Sequence, residues 1–153
     1  MYEFFTFLHI IGFIVWLGLL IAMAIILPML KEQLNTEGGQ KIVLKVIRSF
    51  NATTHLSAIL VLISGIYRVV QMNFGDVAKP FWLLYMEMGG GMIVLLGIIV
   101  LTILGRRVTQ PLSSKRVTPD VAEVEKRLSV YINAVLLVML LILSVVLVVS
   151  FRL

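Results

Sequence analysis

Cysteine is absent from the 153 residues. Disulfides, Cys-ligated zinc, iron–sulfur clusters and thiolate-bound haem are therefore excluded. Charge is scarce as well: 14% of residues are Asp, Glu, Lys or Arg, where a soluble domain carries about a quarter. Histidine occurs only twice and proline four times. Apolar residues fill the space left, making up 60% of the chain at a mean hydropathy of +1.07 and arranged in long unbroken runs. Those runs exclude a soluble enzyme. At about 20 residues per crossing, the length holds one membrane-embedded domain of about four spans and little outside the lipid. The net charge of +5 gives no reason to expect nucleic acid, because a basic excess in a membrane chain marks its cytoplasmic loops.

The expected spans are residues 4–30, 51–72, 81–104 and 130–151 of a single transmembrane domain, 1–153. The first run, Phe4 to Leu30, starts after Glu3 and ends at Lys31. A cleavable signal peptide would be shorter, start with a basic residue and end in a small-residue cleavage site, so a retained helix is expected. Pro28 sits near its end, where a kink does least harm. From Gln40 to Phe50, Lys41, Lys45 and Arg48 alternate with Ile42, Val46 and Ile47 at helical spacing. That pattern suits either an amphipathic helix on the headgroups or the protruding first turns of the second span. Asn73 to Asp76 with Lys79-Pro80 reads as a short loop, with Pro80 opening the third helix. Arg106 to Asp120 reads as a polar loop, and Thr118-Pro119-Asp120 with Glu123 as a capped, acidic helix start.

Direction follows from the cations. Lys31, Lys41, Lys45 and Arg48 cluster around the first connection, and Arg106, Arg107, Lys115, Arg116, Lys126 and Arg127 around the third. The middle loop has only Lys79 and the C-terminus only Arg152. The positive-inside rule then gives an all-α integral membrane four-helix bundle in the cytoplasmic membrane, with both termini on the outer side. Spans with so little polar glue also suggest a homodimer within the lipid bilayer.

Four ionisable residues fall inside the spans, and each such residue is a functional candidate by default. At ~1.5 Å per residue, His9, Arg68 and Glu87 fall near the outer surface and His55 on a lower level, near the cytoplasmic side. Arg68 either snorkels to the headgroups or meets a ligand's anionic groups. Glu87 either relays charge or forms an ion pair with Arg68. His9, Gly12 and Trp16 share a helix face, with Gly12 a turn below the imidazole, where it could admit a flat macrocycle or a neighbouring helix. Gly89-Gly90-Gly91 reads as a close crossing or as a helix loosened beside a ligand. Asn133, at the depth of His55, is the expected hydrogen-bond partner of that ring.

Histidine in an apolar setting can hold haem iron or copper. Met23, Met86, Met88 and Met92 could assist, although methionines in apolar helices mostly fill core. Haem b suits the inventory better than copper, since the loops lack Met-x-x-Met and His-rich segments. Its ligands would be His9 and His55, with Arg68 for the propionates and Gly12 and Trp16 shaping the slot. The different depths of the two histidines leave open whether they serve one cofactor or two.

The stretch Phe7-Leu8-His9-Ile10-Ile11-Gly12-Phe13-Ile14-Val15-Trp16-Leu17-Gly18, with Pro28 after it and Phe81-Trp82-Leu83 opening helix three, resembles the superfamily of the copper-resistance CopD membrane domain and HemJ-type protoporphyrinogen oxidases. The resemblance implies a four-helix layout and gives His9 the place of the family's helix-one histidine, implicated in haem binding. The lysine that HemJ-type proteins carry on helix three falls at Met86, and Leu84 stands where its neighbouring histidine would be. The leading expectation is thus a b-type haem protein in electron transfer or haem handling, with a quinone or redox protein as partner. A copper-handling or porphyrin-oxidising relative and a non-catalytic accessory subunit are the alternatives.

Overall fold

Where no water reaches the backbone, a run of aliphatic residues pairs its N–H and C=O groups internally by becoming a helix. The computed structural model describes residues 1–71, 79–113 and 120–152, nearly all helical. Four long helices result: α1 (Tyr2–Lys31), α2 (Glu37–Gln71), α3 (Phe81–Ser113) and α4 (Val121–Phe151). All four are long and apolar enough to cross a membrane. Each packs against the next and α4 returns to α1, so they go round in chain order, alternating in direction. The chain termini share one end of the bundle. The first connection, with its cations, lies at the other, which we call the basic end.

The buried face of α4 runs Val124, Leu128, Tyr131, Val135, Val138, Ile142, Val145. Its steps of four and three are the seam of left-handed bundle packing. α1 answers with Trp16, Leu20, Met23 and Leu27, all fully buried. Against acyl chains as apolar as leucine, helix association depends on close approach at small residues. A Cβ on Gly97 would lie 3.2 Å from Val138 Cγ1, and one on Gly12 would lie 3.1 Å from Val61 Cγ2 and 3.3 Å from the Ser57 carbonyl oxygen. These two glycines set the α3–α4 and α1–α2 crossings.

At the basic end α1 tightens into a 3₁₀ turn, Glu32–Asn35. Thr36 then opens α2, its Oγ1 accepting from the Gly39 N–H at 3.0 Å. A Cβ on Gly39 would collide with the Gln33 carbonyl, which is why this turn needs glycine. α2 runs unbroken from Glu37, so the basic stretch forms its first turns, with Val43 and Ile47 fully buried. The polar loop expected from Arg106 is corrected: α3 continues through Pro111 to Ser113. Pro111 cannot offer an N–H to the Arg107 carbonyl four residues back; Arg127 Nη1 donates to that oxygen instead, at 3.0 Å. Asp120 caps α4, accepting from the Ala122 N–H at 3.0 Å, as the sequence suggested. The expected turn at Asn73–Asp76, and Thr118 and Pro119, lie outside the described residues.

α3 is not uniform. Tyr85–Gly90 forms a π turn, the wider coil that often marks functional positions. Around the three glycines no helix crosses closely: a Cβ on Gly90 would have Val145 Cγ1 3.6 Å away, and one on Gly91 would meet nothing. The π turn packs mainly on α4, so the seam between α2 and α3 parts at the termini end.

Candidate functional site

Where that seam parts, the termini-end half of the bundle holds a cavity of about 480 Å³ reached by all four helices. This lies within the ~300–1,000 Å³ typical of small-molecule sites. It extends along α1 from His9 to Trp16, ~10 Å at the helical rise per residue. Its walls are mostly aliphatic, including Val61, Val94, Ile142 and Val145.

His9 enters from α1. Its Nδ1 lies 3.0 Å from the Val61 carbonyl oxygen and 3.2 Å from Ser64 Oγ. A carbonyl can only accept, so the proton is on Nδ1. The Ser64 hydroxyl donates back to its own helix, 2.5 Å from the Leu60 carbonyl oxygen, and can only accept from the ring. Nε2 is thereby left with its lone pair and no protein partner. This is the arrangement in which a backbone carbonyl fixes the tautomer of a ligating histidine. Gly65 makes the room, since a Cβ there would lie 3.2 Å from His9 Cε1. Gly12, expected to make space for a ligand, is instead pressed on α2 and lines no part of the cavity.

Glu87 lines the cavity from the π turn with its side chain only 10% exposed. Its Oε2 accepts from Lys79 Nζ at 2.7 Å, and its Oε1 is buried without a partner. The expected Glu87–Arg68 pair is thus replaced by Glu87–Lys79. Of the expected outer cluster, His9 and Glu87 share the cavity. Arg68 is half-buried beside it with Nε unpartnered, while its neighbour Val69 lines the wall. Trp16, 1% exposed, also lines the cavity, and its indole Nε1–H is buried without an acceptor.

His55 has a different setting. Its Nδ1 donates to the Asn51 carbonyl of its own helix, and its Nε2 lies 2.5 Å from Thr102 Oγ1 on α3, whose single hydroxyl proton can turn to this ring from the Ile98 carbonyl 2.6 Å away. Tyr131 of α4 donates to Asn51 Oδ1 at 2.5 Å. The Asn51 side chain in turn occupies the space a Cβ on Gly105 would need. Both nitrogens of His55 are therefore engaged within the protein. Thr102, not Asn133, is the side-chain partner; Asn133 is exposed on the far face of α4. His9 meets α2 at Val61–Gly65, so the two rings lie some 9–15 Å apart along the axis by residue count. That is too far to share one iron.

The sequence reading missed Asn51, Gly65, Thr102 and Tyr131. Asn51 and Tyr131 sit at the starts of apolar runs, where a polar residue looks like a boundary, and Gly65 and Thr102 are unremarkable inside a span. Among the described residues, no three His, Asp or Glu side chains gather where they could hold a metal ion. The donor set therefore suits a ligand that needs one imidazole better than an ion held by protein alone. The chain matches no family model, no curated protein and no solved structure.

Proposed function

We propose that this is a multi-pass protein of the cytoplasmic membrane that grips a redox-active ligand in the termini-end cavity through His9 and serves electron transfer. The observation that carries this is the His9 ring, locked by the Val61 carbonyl with Nε2 uncommitted beside an apolar cavity. A neutral imidazole nitrogen with its lone pair free beside a cavity is ready to hold a ligand. Membrane placement is supported by α2. Arg48 and Arg68 lie twenty residues apart on it, ~30 Å by helical rise and the thickness of the hydrocarbon core. The cation count puts the termini end outside, so the cavity belongs to the outer leaflet.

Haem b is the occupant that the imidazole by itself suits. His9 Nε2 would hold the iron, the aliphatic walls and Trp16 would enclose the ring, and Arg68 would be the cation for the propionates. Bound there, haem would supply one-electron chemistry. His55, with both nitrogens used, is left a packing role. A copper-handling or porphyrin-oxidising protein related to the CopD and HemJ-type families would use the same imidazole.

The absorption spectrum and the organic and metal content of the protein purified in mild detergent test the proposal. Haem gives a Soret band that His9→Ala abolishes and His55→Ala preserves. A colourless protein that takes up copper through His9 favours the metal form. A protein that carries no haem, copper or lipid-soluble redox carrier, and takes up none when they are offered, overturns the proposal and leaves an accessory subunit.

A further inference from the structure

Three residues lining the cavity each carry a polar atom with no partner among the described residues, and their chemistry differs. His9 Nε2 is a neutral acceptor. Glu87 Oε1 is one oxygen of a carboxylate whose other oxygen is held by Lys79. Trp16 Nε1–H is a donor, on a side chain 1% exposed. Buried polar groups are ordinarily satisfied, so unpaired ones around a common space call for a ligand that pairs with them. A haem bonded to His9 would leave the carboxylate oxygen and the indole N–H unexplained.

The way in restricts the ligand further. Ile66 and Val70 on α2 and Met88 on α3 line the cavity and are also more than 60% exposed, so they edge the parted α2–α3 seam. These three described residues of that edge are apolar. In the orientation proposed above, the opening faces the acyl chains of the outer leaflet and not water. A ligand using it is lipid-soluble and leaves its apolar tail in the seam.

From these observations we infer that the ligand completing the cavity is a membrane quinol or its quinone. The inference rests on reading the cavity as a redox-ligand site and names the class of that ligand. A quinol head is flat and carries two hydroxyl donors, matching the two acceptors at His9 and Glu87; the hydroxyl on the carboxylate makes the stronger, charge-assisted bond. In the quinone, carbonyl oxygens replace those donors and give the Trp16 N–H an acceptor. The tail satisfies the requirement set by the seam.

Tryptophan occurs only at positions 16 and 82, which supplies the assay. In a Trp82→Phe background, Trp16 fluorescence is followed while a decyl-substituted benzoquinol or naphthoquinol, kept reduced under an oxygen-free atmosphere, is added to the protein in detergent. Expected are saturable quenching, at least a tenfold weaker Kd in His9→Ala, a severalfold weaker one in Glu87→Gln, and no change in Leu137→Ala, which alters an exposed residue of α4. Circular dichroism and elution volume establish that each variant is folded. Gly65→Ala, which nudges the His9 ring without removing it, serves if His9→Ala does not fold, and is expected to weaken binding severalfold. Quenching that rises without saturation, or is identical in all folded variants, is partitioning into the micelle and overturns the inference. A stoichiometric Soret band that quinone does not displace also overturns it while leaving the redox-ligand reading intact. Absence of quinone, haem and copper binding alike overturns both.

Discussion

The two halves of this bundle treat their histidines in opposite ways. At the basic end His55, Asn51, Thr102 and Tyr131 close on one another and tie α2, α3 and α4 together. At the termini end His9, Glu87 and Trp16 line a cavity, and each keeps one polar atom without a partner among the described residues. Both halves hold a histidine whose Nδ1 bonds a backbone carbonyl, and they differ in what meets Nε2. A hydroxyl in hydrogen-bond reach makes His55 part of the packing, and a cavity makes His9 available. An imidazole in an apolar span is therefore not by itself a ligand, and the fate of its second nitrogen decides.

This contrast can be broken from either side. The largest expected effect is from Gly105→Leu, whose side chain would occupy the space of the Asn51 amide. Overpacking costs about 1–3 kcal/mol, and with the polar cluster broken as well, we expect the variant to lose its folded, monodisperse form on size exclusion. Exchanging the histidines sharpens the comparison. His55→Ala should lower stability against denaturing detergent by about 1 kcal/mol, as for interhelical hydrogen bonds in membrane proteins, and leave ligand affinity unchanged. His9→Ala also gives up an interhelical hydrogen bond and should cost a similar amount of stability, but unlike His55→Ala it should abolish ligand affinity. If both variants lose affinity equally, the division between the halves is wrong. Tyr131→Phe removes the donor to Asn51 and should cost about 0.5–1.5 kcal/mol in the same unfolding measurement. The smallest effect is expected on the exposed first turn of α2. The Lys41 ammonium bonded to Glu37 holds that carboxyl below its ordinary pKa. The sign predicts stabilisation above the ordinary carboxylate pKa, lost as pH falls through the lowered value. Glu37 is fully exposed, however, and surface pairs contribute little. Glu37→Gln should therefore leave the melting temperature unchanged at neutral and at mildly acidic pH.

Much of this architecture is visible in the residues before any coordinates. The four helices follow from apolar runs, and the cap at Asp120 follows from residue type. What went unseen is specific in kind. Arg106 to Ser113 looked like a loop because it is polar and contains Pro111; it stays helical because Arg127, from another helix, pairs with the carbonyl the proline abandons. Gly12 and Gly65 look alike in sequence, yet one lies against backbone and the other against an imidazole. Glu87 stood out as a stranded carboxylate, and its cation is Lys79, eight residues before it, and not Arg68.

The number of helices, their apolar character and the four ionisable groups stranded among them could be read from the residue order alone. These depend on composition and on runs longer than ~20 residues, properties a chain possesses without folding. Which stranded groups find a partner was settled by how the helices pack. A hydrogen bond between helices depends on rotation and register to within an ångström or so, and these are set where side chains interlock. His55 fell opposite Thr102, and His9 fell opposite a glycine and a cavity.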